Sequence, residues 1–134
     1  MGYSKGISEE DLLLYAKTSD NVRVSVPDEK STTSETGEIL EKVQLNISGY
    51  VKVQYKIKPH QTGKTVTAKL YVDDDLKATD SSTSASYVTK THEVHIAKGS
   101  MIKVEVSTSN SDYPGYIKDF KIMYDTTKEN EVLI

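Results

Sequence analysis

Residues 49–57 read GYVKVQYKI, and how this stretch is read decides the fold. Val51, Val53, Tyr55 and Ile57 fall on one side of an extended chain, and Tyr50, Lys52, Gln54 and Lys56 on the other. A helix would scatter both sets around its circumference. The period of two predicts a strand with one buried and one solvated face, the pattern of antiparallel sheets.

The same alternation recurs on both sides. In TVTAKLYV (65–72), Val66, Ala68, Leu70 and Val72 oppose Thr67, Lys69 and Tyr71. Val94 and Ile96 alternate with Glu93 and His95. Ile102, Val104 and Val106 alternate with Lys103 and Glu105, and Phe120, Ile122 and Tyr124 with Asp119, Lys121 and Met123. ILEKVQLNI (39–47) is a further strand whose core set is Leu40, Val43, Leu45 and Ile47. Its alternation slips near Glu41 and Lys42, which predicts a bulge. Turn chemistry separates the strands: PHQTG at 59–63, AKGS at 97–100 and SNSDYPG at 109–115. Short strands at this spacing specify an all-β fold, an antiparallel two-sheet β-sandwich of jelly-roll-like type. The predicted core is Val51, Val53, Val66, Leu70, Ile102, Val104, Phe120 and Ile122.

Three consecutive carboxylates, Asp73 to Asp75, invite a metal-site reading. A calcium loop spaces its acids and follows them with a glycine, and neither feature is present. Val72 ends one alternating strand and LKATDSST can return as its partner, so the aspartates are read as a hairpin turn. His92 and His95 would share a metal on a helix, but on a strand their offset of three puts them on opposite faces. The chain has no cysteine, so neither disulfides nor thiolate ligands are available. No catalytic, metal or cofactor residues are assigned, and the chain is expected not to be an enzyme.

The 134 residues suit one domain, with 28% charged residues and a net charge of −3. Residues 1–48 carry net −4 and the remainder net +1. Neither half suits binding driven by neutralising phosphates, and no nucleic-acid or membrane partner is expected. Nine tyrosines, one phenylalanine and no tryptophan mean that the aromatic surface is tyrosine. Lys and Tyr interleave on outward faces. Tyr50, Tyr71, Tyr113 and Tyr116 form the candidate ligand-facing set, for sugars or for a protein.

The N-terminal region reads differently. SEEDLLLYAK (8–17) starts with a Ser8-x-x-Asp11 capping pattern and predicts a helix of about three turns. Leu12, Leu13 and Leu14 cannot share one face of so short a helix. With Tyr15 they are the candidate contact to an oligomer or partner. VRVSV (22–26) is a strand stopped by Pro27, and DEKSTTSETGE (28–38) is read as a long mobile loop. The expected division is an N-terminal arm over 1–38, a sandwich over 39–126 and a tail over 127–134. No apolar leader follows Met1, so synthesis in the cytoplasm is expected.

SGYVKVQYKIK with TAKLYVDDDL, then SASYVTKTHEVHIAKGSMIKV and GYIKDFKIMYD, resemble β-sandwich domains of tail and head-surface proteins of bacteriophages and prophages. The resemblance covers about residues 47–125. It implies a virion-located, non-enzymatic structural protein, a capsid-decoration or tail accessory that binds a capsid or tail protein or a host surface glycan, often as a homo-oligomer. It carries over no functional residues. The alternative is a carbohydrate- or receptor-binding module acting alone, and the third reading, a small enzyme, has least behind it.

Overall fold

The computed structural model describes residues 21–124. The strands are β1 (Asn21–Val26), β2 (Lys30–Thr32), β3 (Glu38–Gln44), β4 (Gly49–Pro59), β5 (Val66–Val72), β6 (Asp75–Ser82), β7 (Val88–Ile96), β8 (Met101–Thr108) and β9 (Gly115–Tyr124). All pairings are antiparallel. Sheet A has the order β1-β9-β4-β7, with β2 also on β9, and sheet B the order β3-β8-β5-β6. From β3 onward the chain crosses between sheets at every connection except the β5–β6 hairpin, giving the jelly-roll-like sandwich.

The alternating residues face each other between the sheets. The eight predicted core residues are all at most 1% exposed. Tyr55 and Tyr124 are also fully buried, and each finds a partner for its hydroxyl. Tyr55 donates to Asp80 Oδ2 at 2.7 Å, and Tyr124 to the Ser48 carbonyl at 2.6 Å. Burial and the Asp80 carboxylate both push the Tyr55 phenol far above its ordinary range, so it remains a donor.

The aspartate triple turns the chain. Val72 pairs with Asp75, and Asp73 and Asp74 have φ of 51° and 71°, as a two-residue hairpin loop of the type favoured by strand twist requires. Asp73 accepts hydrogen bonds from the Met101 amide and the Ser100 hydroxyl, both at 2.9 Å, which fasten the turn to β8. The slip foreseen in the third strand is present as a register shift between Ile39 and Glu41. It turns Glu41 inward to 3% exposure, where Lys30 meets Oε1 at 3.0 Å.

Two readings need correction. Residues 28–38 are not a mobile loop: β2 pairs Lys30–Thr32 with β9, and the Ser34 hydroxyl accepts from the Gly37 amide at 2.8 Å. The pattern Lys-Ser-Thr is too short and polar to show strand periodicity, and it is held by pairing with β9, by the Lys30–Glu41 contact and by burial of Thr32. β1 and β2 also lie before the boundary drawn at residue 38, yet both are strands of sheet A. The expected helix, with Leu12, Leu13, Leu14 and Tyr15, and the tail from residue 127 lie outside the described residues.

Candidate functional site: an aromatic and cationic ladder

One end of sheet A gathers aromatic rings and ammonium groups. β4 ends at Pro59, opposite Gly115, the first residue of β9. Gly115 is buried, and a Cβ there would lie 2.8 Å from Val66 Cγ2, so only glycine lets β9 begin so close to sheet B. Tyr116 follows on the outer face, opposite Lys58.

A bulge then changes the outer face of β9. Gln54 pairs with Lys121, but Lys56 pairs with Lys118, so two residues of β9 oppose Tyr55. Asp119 adopts φ of 52° at this point. Both Ile117 and Phe120 thereby point into the core, which leaves Lys118 and Asp119 outside. Asp119 pairs with Lys56 at 3.2 Å, and Lys118 is left to an aromatic partner.

That partner is Tyr87, from the segment entering β7. Lys118 Nζ is 4.4 Å from the centre of its ring, and Lys58 Nζ is 5.5 Å from it. The Tyr87 hydroxyl donates to Glu29, in the β1–β2 connection. β7 and β2 lie on opposite sides of the β4–β9 pair, so the Tyr87 side chain reaches across the outer face of the sheet. Burial and the Glu29 carboxylate push its phenol well above the ordinary range and keep it protonated.

The series continues from Lys58. Its ammonium is 4.6 Å from the Tyr116 ring, within the range of a cation–π contact. The Tyr116 ring stacks on His60 at 6.3 Å, and its hydroxyl is 3.2 Å from Nδ1 of that residue. His60 meets Tyr113 at 5.7 Å, and Lys64 caps Tyr113 at 4.4 Å. Tyr113 is pinned by Thr108, whose buried hydroxyl donates to its carbonyl at 2.5 Å. The result is a continuous row of four rings and three ammonium groups, drawn from five segments of the chain. Among the described residues, Lys58, Lys64 and Lys118 have no carboxylate within ion-pairing distance.

The four tyrosines singled out from the sequence do not form one site. Tyr113 and Tyr116 come together through His60. Tyr50 lies at the opposite end of β4, edge-on to His95 at 5.0 Å, eight residues or about 26 Å from Lys58. Tyr71 is on the outer face of sheet B, beside a small depression of about 180 Å³ lined by Ile39, Asp74, Lys103 and Glu105. That is below the size of an ordinary ligand pocket. Sequence reasoning missed Tyr87, Glu29 and His60. Of these, His60 carried a signal, since it sits in the same turn as the expected Lys and Tyr residues.

His92 and His95 do face opposite ways. His95 is exposed, whereas the His92 Nε2 lies 2.6 Å from Asp80 between the sheets. Among the described residues, no group of three or more histidines and carboxylates is placed to hold a metal ion.

No protein-family model matches the sequence, and comparison with curated proteins gives no match. Solved structures do match in fold. The C-terminal domain of the sugar-binding protein EclA superposes with a TM-score of 0.54 at 20% identity, over 72% of this chain and 77% of that one. The CBM22-1 xylan-binding domain of Xyn10C from Paenibacillus barcinonensis gives 0.52 at 8% identity, over 81% and 98%. The insecticidal delta-endotoxin Cry8Ea1 from Bacillus thuringiensis gives 0.54 at 10% identity, with 71% of this chain matching 19% of the toxin. At these identities the likeness establishes the β-sandwich and nothing about ligands.

Proposed function

We propose that the chain is a non-catalytic carbohydrate-binding module and that the ladder at the end of sheet A is its sugar platform. The observation that carries this reading is the series of three partly exposed tyrosine rings, Tyr87, Tyr116 and Tyr113, held in place by cations and by His60. The apolar faces of pyranose rings lie against aromatic faces, and rings fixed in advance lose little entropy on binding. The shared fold with a sugar-binding domain and a xylan-binding domain supports the same reading by analogy. Display on a virion, as a capsid-decoration or tail accessory protein, is a setting for such a module. That setting rests on the sequence resemblance over residues 47–125.

Titration calorimetry against a panel of neutral and acidic tetrasaccharides tests the platform. Tyr116→Ala is expected to weaken binding of whichever sugar binds by at least tenfold, about 1.4 kcal/mol. Tyr50→Ala and Tyr71→Ala, far from the ladder, are expected to leave it unchanged. A panel without a single binder removes the proposal, and equal losses at Tyr50 and Tyr116 would misplace the platform.

A further inference from the structure

We infer that the sugar taken by this platform is acidic, with its carboxylate seated between Lys58 and Lys118. The inference rests on the carbohydrate-binding reading and specifies its ligand class. Both lysines lie against the same ring, Tyr87, at 5.5 and 4.4 Å. Neither has a carboxylate partner among the described residues, whereas neighbouring Lys56 is paired with Asp119 at 3.2 Å. The acid nearest the Tyr87 end, Glu29, is occupied by the tyrosine hydroxyl. Two ammonium groups therefore lie against one aromatic ring, and neither is in ion-pairing contact with a described carboxylate. A neutral sugar would leave that charge as it is. A uronate or sialate supplies both a face for the ring and an anion for the two cations, and a charge-assisted contact of this kind is about twice as strong as a neutral one.

The outer face of sheet A supports the same sign of ligand. Among its described charges, Lys52, Lys56, Lys58, Lys118 and Lys121 outnumber Glu29, Glu93 and Asp119. The chain as a whole is acidic, at −3, so this excess is local and not a by-product of composition. A local field of one sign raises the capture rate of an oppositely charged ligand.

The test uses the whole chain and a panel of tetrasaccharides in which each uronate- or sialate-bearing member is paired with its neutral methyl ester. Binding is expected for an acid and at least tenfold weaker for its ester. Lys58→Gln and Lys118→Gln are each expected to erase most of that difference, while Lys121→Gln, on the same face outside the ladder, preserves it. Circular dichroism confirms that each variant is folded. Equal affinity for acid and ester, or an acid preference untouched by both substitutions, overturns the acidic-ligand inference and leaves the platform standing. Binding to no member overturns the carbohydrate reading itself. An oligothymidylate control separates sugar recognition from attraction to any polyanion, and oligothymidylate binding as tight as the best acid overturns the inference as well.

Discussion

Nε2 of His92 lies 2.6 Å from Oδ2 of Asp80, and this contact ties β7 of sheet A to β6 of sheet B. The same carboxylate oxygen accepts the Tyr55 hydroxyl at 2.7 Å. One aspartate thus closes the side of the sandwich where the β5–β6 hairpin overhangs. The Asp80 side chain is 11% exposed and that of His92 27%. Asp80→Ala would strand the Tyr55 hydroxyl in a fully buried position, at a cost of about 1–3 kcal/mol. His92→Ala should cost less, because water can reach the vacated oxygen. Urea denaturation of the two variants checks the order, and an equal or reversed cost would show that Tyr55 does not depend on Asp80.

Phe120 and Lys121 are neighbours with opposite surroundings. Phe120 is 1% exposed, while Lys121 projects from the outer face. Phe120→Ala is expected to destabilise by about 3–5 kcal/mol. Lys121→Ala should fall within about 0.5 kcal/mol of the parent. Similar midpoints for both variants would mean that the face assignment of β9 is wrong.

Two carboxylates should give opposite dependences of stability on pH. The Met101 amide, then the Ser100 hydroxyl and the Lys103 charge, hold Asp73 below the usual carboxylate range. Its contribution is present above the unfolded value near about 4 and is lost as pH falls through the lower folded value. Burial raises Glu41 above its ordinary range, and Asp28 adds to the rise, while Lys30 opposes it. Its Oε2 has no hydrogen-bond partner among the described residues. The folded chain therefore holds the Glu41 proton more tightly than the unfolded chain, and stability drains as pH rises through that raised value. Melting curves across pH should show Asp73→Asn closing on the parent as pH falls through the acid range. Glu41→Gln should gain on the parent as pH rises from about 4.3. Parallel curves for either variant would remove its carboxylate from the account.

Deleting residues 1–26 should destabilise the sandwich. The deletion removes β1, whose Val24 and Val26 pack on the core and whose backbone pairs with β9 from Asn21 to Val26. The expected sign is a melting temperature several degrees lower, visible by circular dichroism. An unchanged melting temperature would show that β1 adds nothing to the fold.

Chelation is the simplest check on the aspartate turn. The Asp73 carboxylate is engaged by Ser100 and Met101 and that of Asp74 by Lys103, so the two are not directed at a common centre. EDTA is expected to leave the melting temperature unchanged, and a fall of several degrees would reopen the cation reading.

The sandwich was legible in the sequence wherever buried residues alternate, because side-chain period alone distinguishes a two-faced strand. It was legible even at Glu41, where the alternation visibly slips. The bulge at Asp119 was not, since Phe120, Ile122 and Tyr124 keep perfect phase and the shift lies upstream, at Ile117. β2 escaped because Lys30–Thr32 has no apolar residue to reveal a face. The site was half legible. Tyr113, Tyr116 and the lysines stood out by composition, but Tyr87 sits alone in a Ser/Thr segment. Its partners Glu29, Lys58 and Lys118 lie about thirty residues or more away in sequence, and only the sheet order brings them together.

That sheet order also sets a timetable. β9 is the last strand described, yet β1, β2 and β4 all pair with it. Sheet B needs only β3, β5, β6 and β8, and every one of them leaves the ribosome before β9. During synthesis the chain can hold a nearly complete sheet B and the β4–β7 pair of sheet A, while β1 and β2 wait for β9. Long-range pairing of this kind is slow, because distant segments must be ordered before their contacts form. Until residue 124 is free of the exit tunnel, the inner face of sheet B has only the β4–β7 pair to cover it, and shielding the rest falls to whatever the cell supplies.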